Sequence, residues 1–193
     1  MKAVSELPSN YKEIFSVDLK KNKKIAVLIN GAAAAVALIM IFVMRVFVPI
    51  ETLRDLQLGE NAGLMRIVIF AVAVVGYIVL HELTHGVVMK IVGTKKVKYR
   101  FNGLYATAGS KDYYDKSSYI LIALAPIVIW GIVLAIVNFI VPIEWFWIVY
   151  IVQVMNIGGA AGDMYVTIRF SRLPKDILVK DVGSSMTVYS KQP

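Results

Sequence analysis

The chain has 193 residues, 58% of them hydrophobic, and a mean hydropathy of +0.68, which is too apolar for an ordinary soluble domain and points to a multi-pass membrane protein. It lacks cysteine, which excludes disulfides and thiolate metal sites. Its net charge of +8 reads as a bias of Lys and Arg toward one side of a membrane, not as a nucleic-acid surface, because no basic stretch is interleaved with stacking aromatics.

Residues 1–24 form a polar leader. Tyr11, Ile14, Phe15 and Leu19 set among charges predict a short interfacial helix there. No cleaved signal peptide is expected, since the first apolar segment begins near residue 25, is longer than a signal core and is followed by no A-x-A site. Four membrane spans are predicted, at about 25–50, 64–92, 118–141 and 144–168, within a membrane domain of residues 25–168. Pro126 is placed to kink the third. Between the second and third spans, Val97, Tyr99 and Phe101 alternate with Lys98 and Arg100, and Asn102-Gly103 follows. This pattern predicts a small β-hairpin over about 95–110. Residues 169–193 read as a polar tail with a β-like run at Ile177-Leu178-Val179.

The basic residues orient the chain. Of its 21 Lys and Arg, only Arg45, Arg54 and Arg66 fall on one side of the four predicted spans. The positive-inside rule then puts both termini and the hairpin in the cytoplasm. The expected fold is an all-α membrane protein of four transmembrane helices, in the cell membrane, with a small β-hairpin at the cytoplasmic face.

The chain's two histidines both lie in His81-Glu82-Leu83-Thr84-His85, inside the second apolar run. Residues four apart share a helix face, so both imidazoles can reach one metal ion, and Glu82 stands beside them as a candidate catalytic base. A catalytic zinc takes about three protein ligands and a water whose pKa falls toward about 7. The third ligand has to be a carboxylate. Besides Glu82, Asp163 is the one carboxylate deep in an apolar run. At ~1.5 Å per residue it lies ~8 Å from the end of its span, and His85 ~10 Å from the same side. Asp163 has other readings: a pair with Arg66, a proton carrier, or a cap at a helix break. Asn156, two helical turns before Asp163, is a candidate to bind a substrate carbonyl or an oxyanion; its alternative is an interhelical hydrogen bond. The small-residue run Gly158 to Gly162, with Gly86, predicts close packing of the fourth span on the second.

HELTHG on one membrane helix with a later Asp on another resembles the site-2 protease class of intramembrane zinc metalloproteases. More closely, the chain is similar to the bacterial zincin family of small four-helix membrane proteins. The stretches that carry this are Leu7-Pro8 to Tyr11, HELTHG, Ala125-Pro126, Gly162-Asp163 and Leu173-Pro174-Lys175-Asp176. The resemblance implies His81, His85 and Asp163 as zinc ligands and Glu82 as catalytic base. Site-2 proteases usually carry Asn and Pro in a motif ending Leu-Asp-Gly; here no Pro follows Asn156, and Met164 replaces the Gly. No PDZ-like module fits this length.

The expected function is an intramembrane zinc endopeptidase, using Zn2+ to cut a membrane-embedded or membrane-proximal protein substrate, with the lipid bilayer as its solvent and no nucleic-acid partner. Substrate is expected to add as a strand to the hairpin. The rival is a non-proteolytic zinc-binding membrane protein that regulates or binds partner helices, and a weaker third reading is a transporter with Glu82 and Asp163 on an ion path.

Overall fold

The computed structural model describes residues 3–18, 22–55, 62–101, 106–183 and 185–191. In chain order it contains β1 (Ala3–Val4), β2 (Tyr11–Val17), α1 (Lys23–Phe47), a 3-10 turn (Ile50–Asp55), α2 (Ala62–Ile91), β3 (Lys98–Phe101), β4 (Ala106–Gly109), β5 (Tyr113–Asp115), α3 (Lys116–Ile140), α4 (Ile143–Gly159), α5 (Ala161–Ser171), β6 (Leu178–Asp181) and β7 (Met186–Lys191). Among the described residues, four helical stretches are long and apolar enough to cross a membrane: 23–47, 62–91, 116–140 and 143–171. Each ends within about a turn of its predicted boundary. Their outward side chains are apolar, as Phe42 (72% exposed) and Phe139 (91% exposed) show, which water would penalise and lipid would not.

The fourth stretch is not one helix. The small residues that were expected only to bring helices close also interrupt the backbone ladder. Ala160 leaves the helical path and bonds back to the Gly158 carbonyl, and α5 starts afresh at Ala161. Glycine weakens a helix by about 1 kcal/mol each, and three of the five residues from Gly158 to Gly162 are glycine. A Cβ on Gly158 would stand 3.5 Å from the Ala33 carbonyl on α1, so that end of the run lies against the first span.

An all-α description also falls short. β3 and β4 pair antiparallel, Lys98 opposite Gly109 and Phe101 opposite Ala106, as the predicted hairpin; the Asn102-Gly103 turn lies outside the described residues. The leader is not an interfacial helix. Its β2 pairs antiparallel with β7 (Tyr11 opposite Lys191, Val17 opposite Met186) in a five-stranded sheet of order β1-β5-β6-β7-β2. The tail's β-like run is the start of β6 in this same sheet. Phe15 and Val17 turn inward, Phe15 edge-on to Phe170 at 6.5 Å, and that contact with the β7 ladder outweighs the weak helical pattern.

The chain forms two compact units. One comprises residues 1–29, 81–126 and 162–193. Its core joins Val88, Met89 and Val92 of α2, Tyr119 and Ile122 of α3, Val166 and Phe170 of α5, and Val179 and Val188 of the sheet. The other comprises residues 30–80 and 127–161 and is built around Trp147, Tyr150 and Val154. There Tyr150 donates to the Met40 carbonyl at 3.0 Å and Trp147 to the Pro49 carbonyl at 3.1 Å.

In the first unit, Asp181 closes the β6–β7 turn. Its carboxylate accepts from the Gly183 N–H (2.7 Å) and the Tyr119 hydroxyl (2.8 Å), and its carbonyl accepts from the Ser110 N–H (2.8 Å). Burial pushes the carboxyl up to about 6, against these hydrogen bonds. The unfolded group titrates near about 3.9, so between roughly pH 4 and 6 the folded chain keeps a proton that the unfolded chain releases. The resulting stabilisation is complete below about pH 4 and is lost as pH rises through about 6, a change of roughly 3 kcal/mol at most. Asp181→Asn should therefore gain on wild type in thermal unfolding as pH rises from 4 to 7. A difference that does not vary with pH would refute this.

Candidate metal centre

α2 presents His81 and His85 on one face, with ring centroids 4.8 Å apart and planes at 79°. Their Nε2 atoms are 3.2 Å apart. Asp163 Oδ2 lies 3.4 Å from His81 Nε2 and 3.6 Å from His85 Nε2. Among the described residues these three make up the group that could hold a metal ion. The break at Ala160 bears on this directly, because it puts Asp163 in the first turn of a new helix, where free backbone N–H groups favour a carboxylate. The other end of α5 is pinned by Lys116, whose Nζ donates to the Ser171 carbonyl at 2.6 Å and the Leu173 carbonyl at 2.5 Å.

The donor set fits zinc. Ligand bonds of about 2.0–2.1 Å at tetrahedral angles put ligand atoms about 3.3 Å apart, close to the three spacings found. The protonation pattern fits as well. His85 Nδ1 is 2.9 Å from the Ile122 carbonyl, which can only accept, so Nδ1 carries the proton and Nε2 offers its lone pair toward the cluster. Two ring nitrogens and a carboxylate oxygen this close need a cation or a proton between them. The side chains of His81 and Asp163 are 12% and 24% exposed, so the cluster is not wholly sealed.

Glu82 sits one position round α2 and is partly buried. The backbone N–H of Ala108 on β4 lies near its carboxylate. One turn on, Gly86 lies under Tyr99 of β3: a Cβ built on Gly86 would be 1.8 Å from the Tyr99 hydroxyl oxygen and 2.6 Å from its ring. The β3–β4 hairpin is thus docked on the face of α2 that carries Glu82 and Gly86. Gly86 serves this docking and not the helix packing expected of it. The missing side chain after His85 was the sequence signal for a close approach, although nothing in the sequence named Tyr99 or Ala108 as the partners. Gly86→Ala should expel Tyr99, at a cost of about 1–3 kcal/mol. Amide exchange in β3 and β4 should then quicken by about 10-fold or more with metal content unchanged. Unchanged exchange would show that Tyr99 does not hold the hairpin down.

Asn156 is fully buried and committed to its neighbours. Its Oδ1 accepts from the Tyr77 hydroxyl at 2.9 Å and its Nδ2 donates to the Ile127 carbonyl at 3.1 Å. These bonds tie α4 to α2 and α3, which is the interhelical role. The structure assembles His81, His85 and Asp163, places Glu82 next to them, and gives Asn156 hydrogen bonds of its own in the other unit.

Residues 74–178, more than half of the chain and including the whole cluster, match a family model described as "Putative zincin peptidase". No curated protein and no solved structure matches.

Proposed function

The chain belongs to the zincin peptidase family, and from that premise we propose that it is an intramembrane zinc metalloendopeptidase of the site-2 protease kind. The observation that carries this is the convergence of His81, His85 and Asp163 at 3.2–3.6 Å on two helices that lie within apolar, span-length stretches. Zinc, when bound, supplies the polarisation that makes water a nucleophile at neutral pH and a peptide carbonyl an electrophile. His81, His85 and Asp163 would hold it and leave one side open.

The remaining chemistry belongs to Glu82. Its carboxylate takes a proton from the attacking water as the oxygen adds to the scissile carbonyl carbon. It then gives that proton to the leaving nitrogen as the C–N bond breaks. The products are a new carboxyl terminus and a new amine, and Glu82 ends as it began.

A helical substrate has its carbonyls hydrogen-bonded and has to unwind before attack. The hairpin offers an extended template. All of β3 is exposed, and among the described residues it pairs in its sheet with β4 alone, so its outer edge can accept a further strand. We place the enzyme in the cell membrane with both termini cytoplasmic, following the distribution of its Lys and Arg. The deciding test is Glu82→Gln against a single-span reporter in lipid vesicles. A zinc site kept only for regulation or partner binding would be indifferent to that substitution.

A further inference from the structure

α3 runs unbroken from Lys116 to Ile140 with Pro126 inside it. In an α-helix the N–H of residue 126 would bond the carbonyl of residue 122, but proline has no N–H, so the helix leaves the Ile122 carbonyl without its donor. Ile122 is 2% exposed and Pro126 is fully buried, so water is a poor substitute, and a buried carbonyl without a partner is costly. The group that answers it is His85 Nδ1, at 2.9 Å. The vacancy that the proline creates is filled by the ring of a residue in the metal cluster.

We propose that Pro126 is a positioning residue for His85: by lacking an N–H it reserves the Ile122 carbonyl for the Nδ1 proton, and so holds the ring in the tautomer and orientation that turn the Nε2 lone pair toward His81 and Asp163. This rests on the reading of His85 as a zinc ligand. It gives the helix-interior proline a task other than bending the helix. With Ala at 126, the restored backbone N–H competes for the same carbonyl. The His85 ring then shares or loses its anchor, and the Nε2-protonated tautomer, which cannot ligate through Nε2, becomes populated.

The test uses full-length protein in detergent micelles with 15N-labelled histidine. His81 and His85 are the chain's two histidines, so every ring signal belongs to the cluster. In metal-free wild type, at a pH high enough for both rings to be neutral, His85 should show one tautomer, protonated at Nδ1. In Pro126→Ala it should show a mixture, and zinc affinity should fall about 10-fold or more, the size seen when the partner that orients a metal-bound histidine is lost. Alanine favours helix and restores a backbone bond, so a melting temperature at or above that of wild type shows that the loss is not one of folding. A third protein carries the α-hydroxy analogue of alanine at 126, which, like proline, has no N–H. It should keep the wild-type tautomer and affinity. Wild-type behaviour of Pro126→Ala in both measurements would overturn the proposal, and so would an α-hydroxy variant that behaves like Pro126→Ala. Wild type that takes up no zinc would remove the ligand assignment, and the tautomer signals would still decide the hydrogen bond by themselves.

Discussion

Glu82→Gln should retain zinc at the wild-type level and lose about 10²- to 10⁴-fold in turnover, the range contributed by a positioned general base. The substitution is close to isosteric, so the local structure should persist. What is lost is the capacity to take a proton from water and return it to the leaving nitrogen. Cleavage of a single-span reporter in vesicles, measured beside zinc content on the same preparations, separates the two effects. Turnover at the wild-type level in Glu82→Gln would remove Glu82 from the chemistry. If wild type binds zinc and cuts none of a panel of single-span reporters, the non-proteolytic reading would take over.

Asp163→Ala, and likewise His81→Ala, should abolish stoichiometric zinc binding. Each substitution leaves two protein ligands where a catalytic zinc takes three, and affinity should fall by well over the 10- to 100-fold seen when only an orienting partner is lost. The ligands come from α2 and α5, so the ion would join two helices of the first unit and stabilise it by mass action. At free zinc about 100 times the dissociation constant, that amounts to about 2.7 kcal/mol. Wild type should therefore melt higher with zinc than with chelator, and Asp163→Ala should melt at the same temperature in both. Metal analysis finding one zinc per wild-type chain and none in the variants would establish the ligand set. Wild type purified without chelator and carrying no zinc would remove the foundation of the enzyme reading.

The helices and the cluster were legible in the sequence for a shared physical reason. A lipid-facing helix has to be apolar throughout, so a polar residue such as His81 or Asp163 stands out against its run, and residue count converts to depth along a span. The lack of any other deep ligand, together with matching depth, paired Asp163 with the histidines across about 80 residues of chain. What depth could not give is the path of the backbone between. The break at Ala160 follows from several weak helix formers acting together, and their number alone did not say whether they would pack or interrupt. The sheet was hidden because β2 takes its conformation from β7, at the other end of the chain. Short strands with exposed, charged faces carry little pattern of their own until the partner is known. For Asn156 the sequence left two readings level, and the hydrogen bonds to Tyr77 and Ile127 display the interhelical one.

The pairing of β2 with β7 also sets an order of events during biosynthesis. A ribosome adds about 5–20 residues per second, so β2 waits roughly 10–30 s after its own synthesis for β7 to be made. Until then the unit that holds His81, His85 and Asp163 lacks its closing strand, while all four apolar stretches have already been made. The sheet beside these residues can therefore close only after all four apolar stretches exist, and β7 decides when that unit is complete.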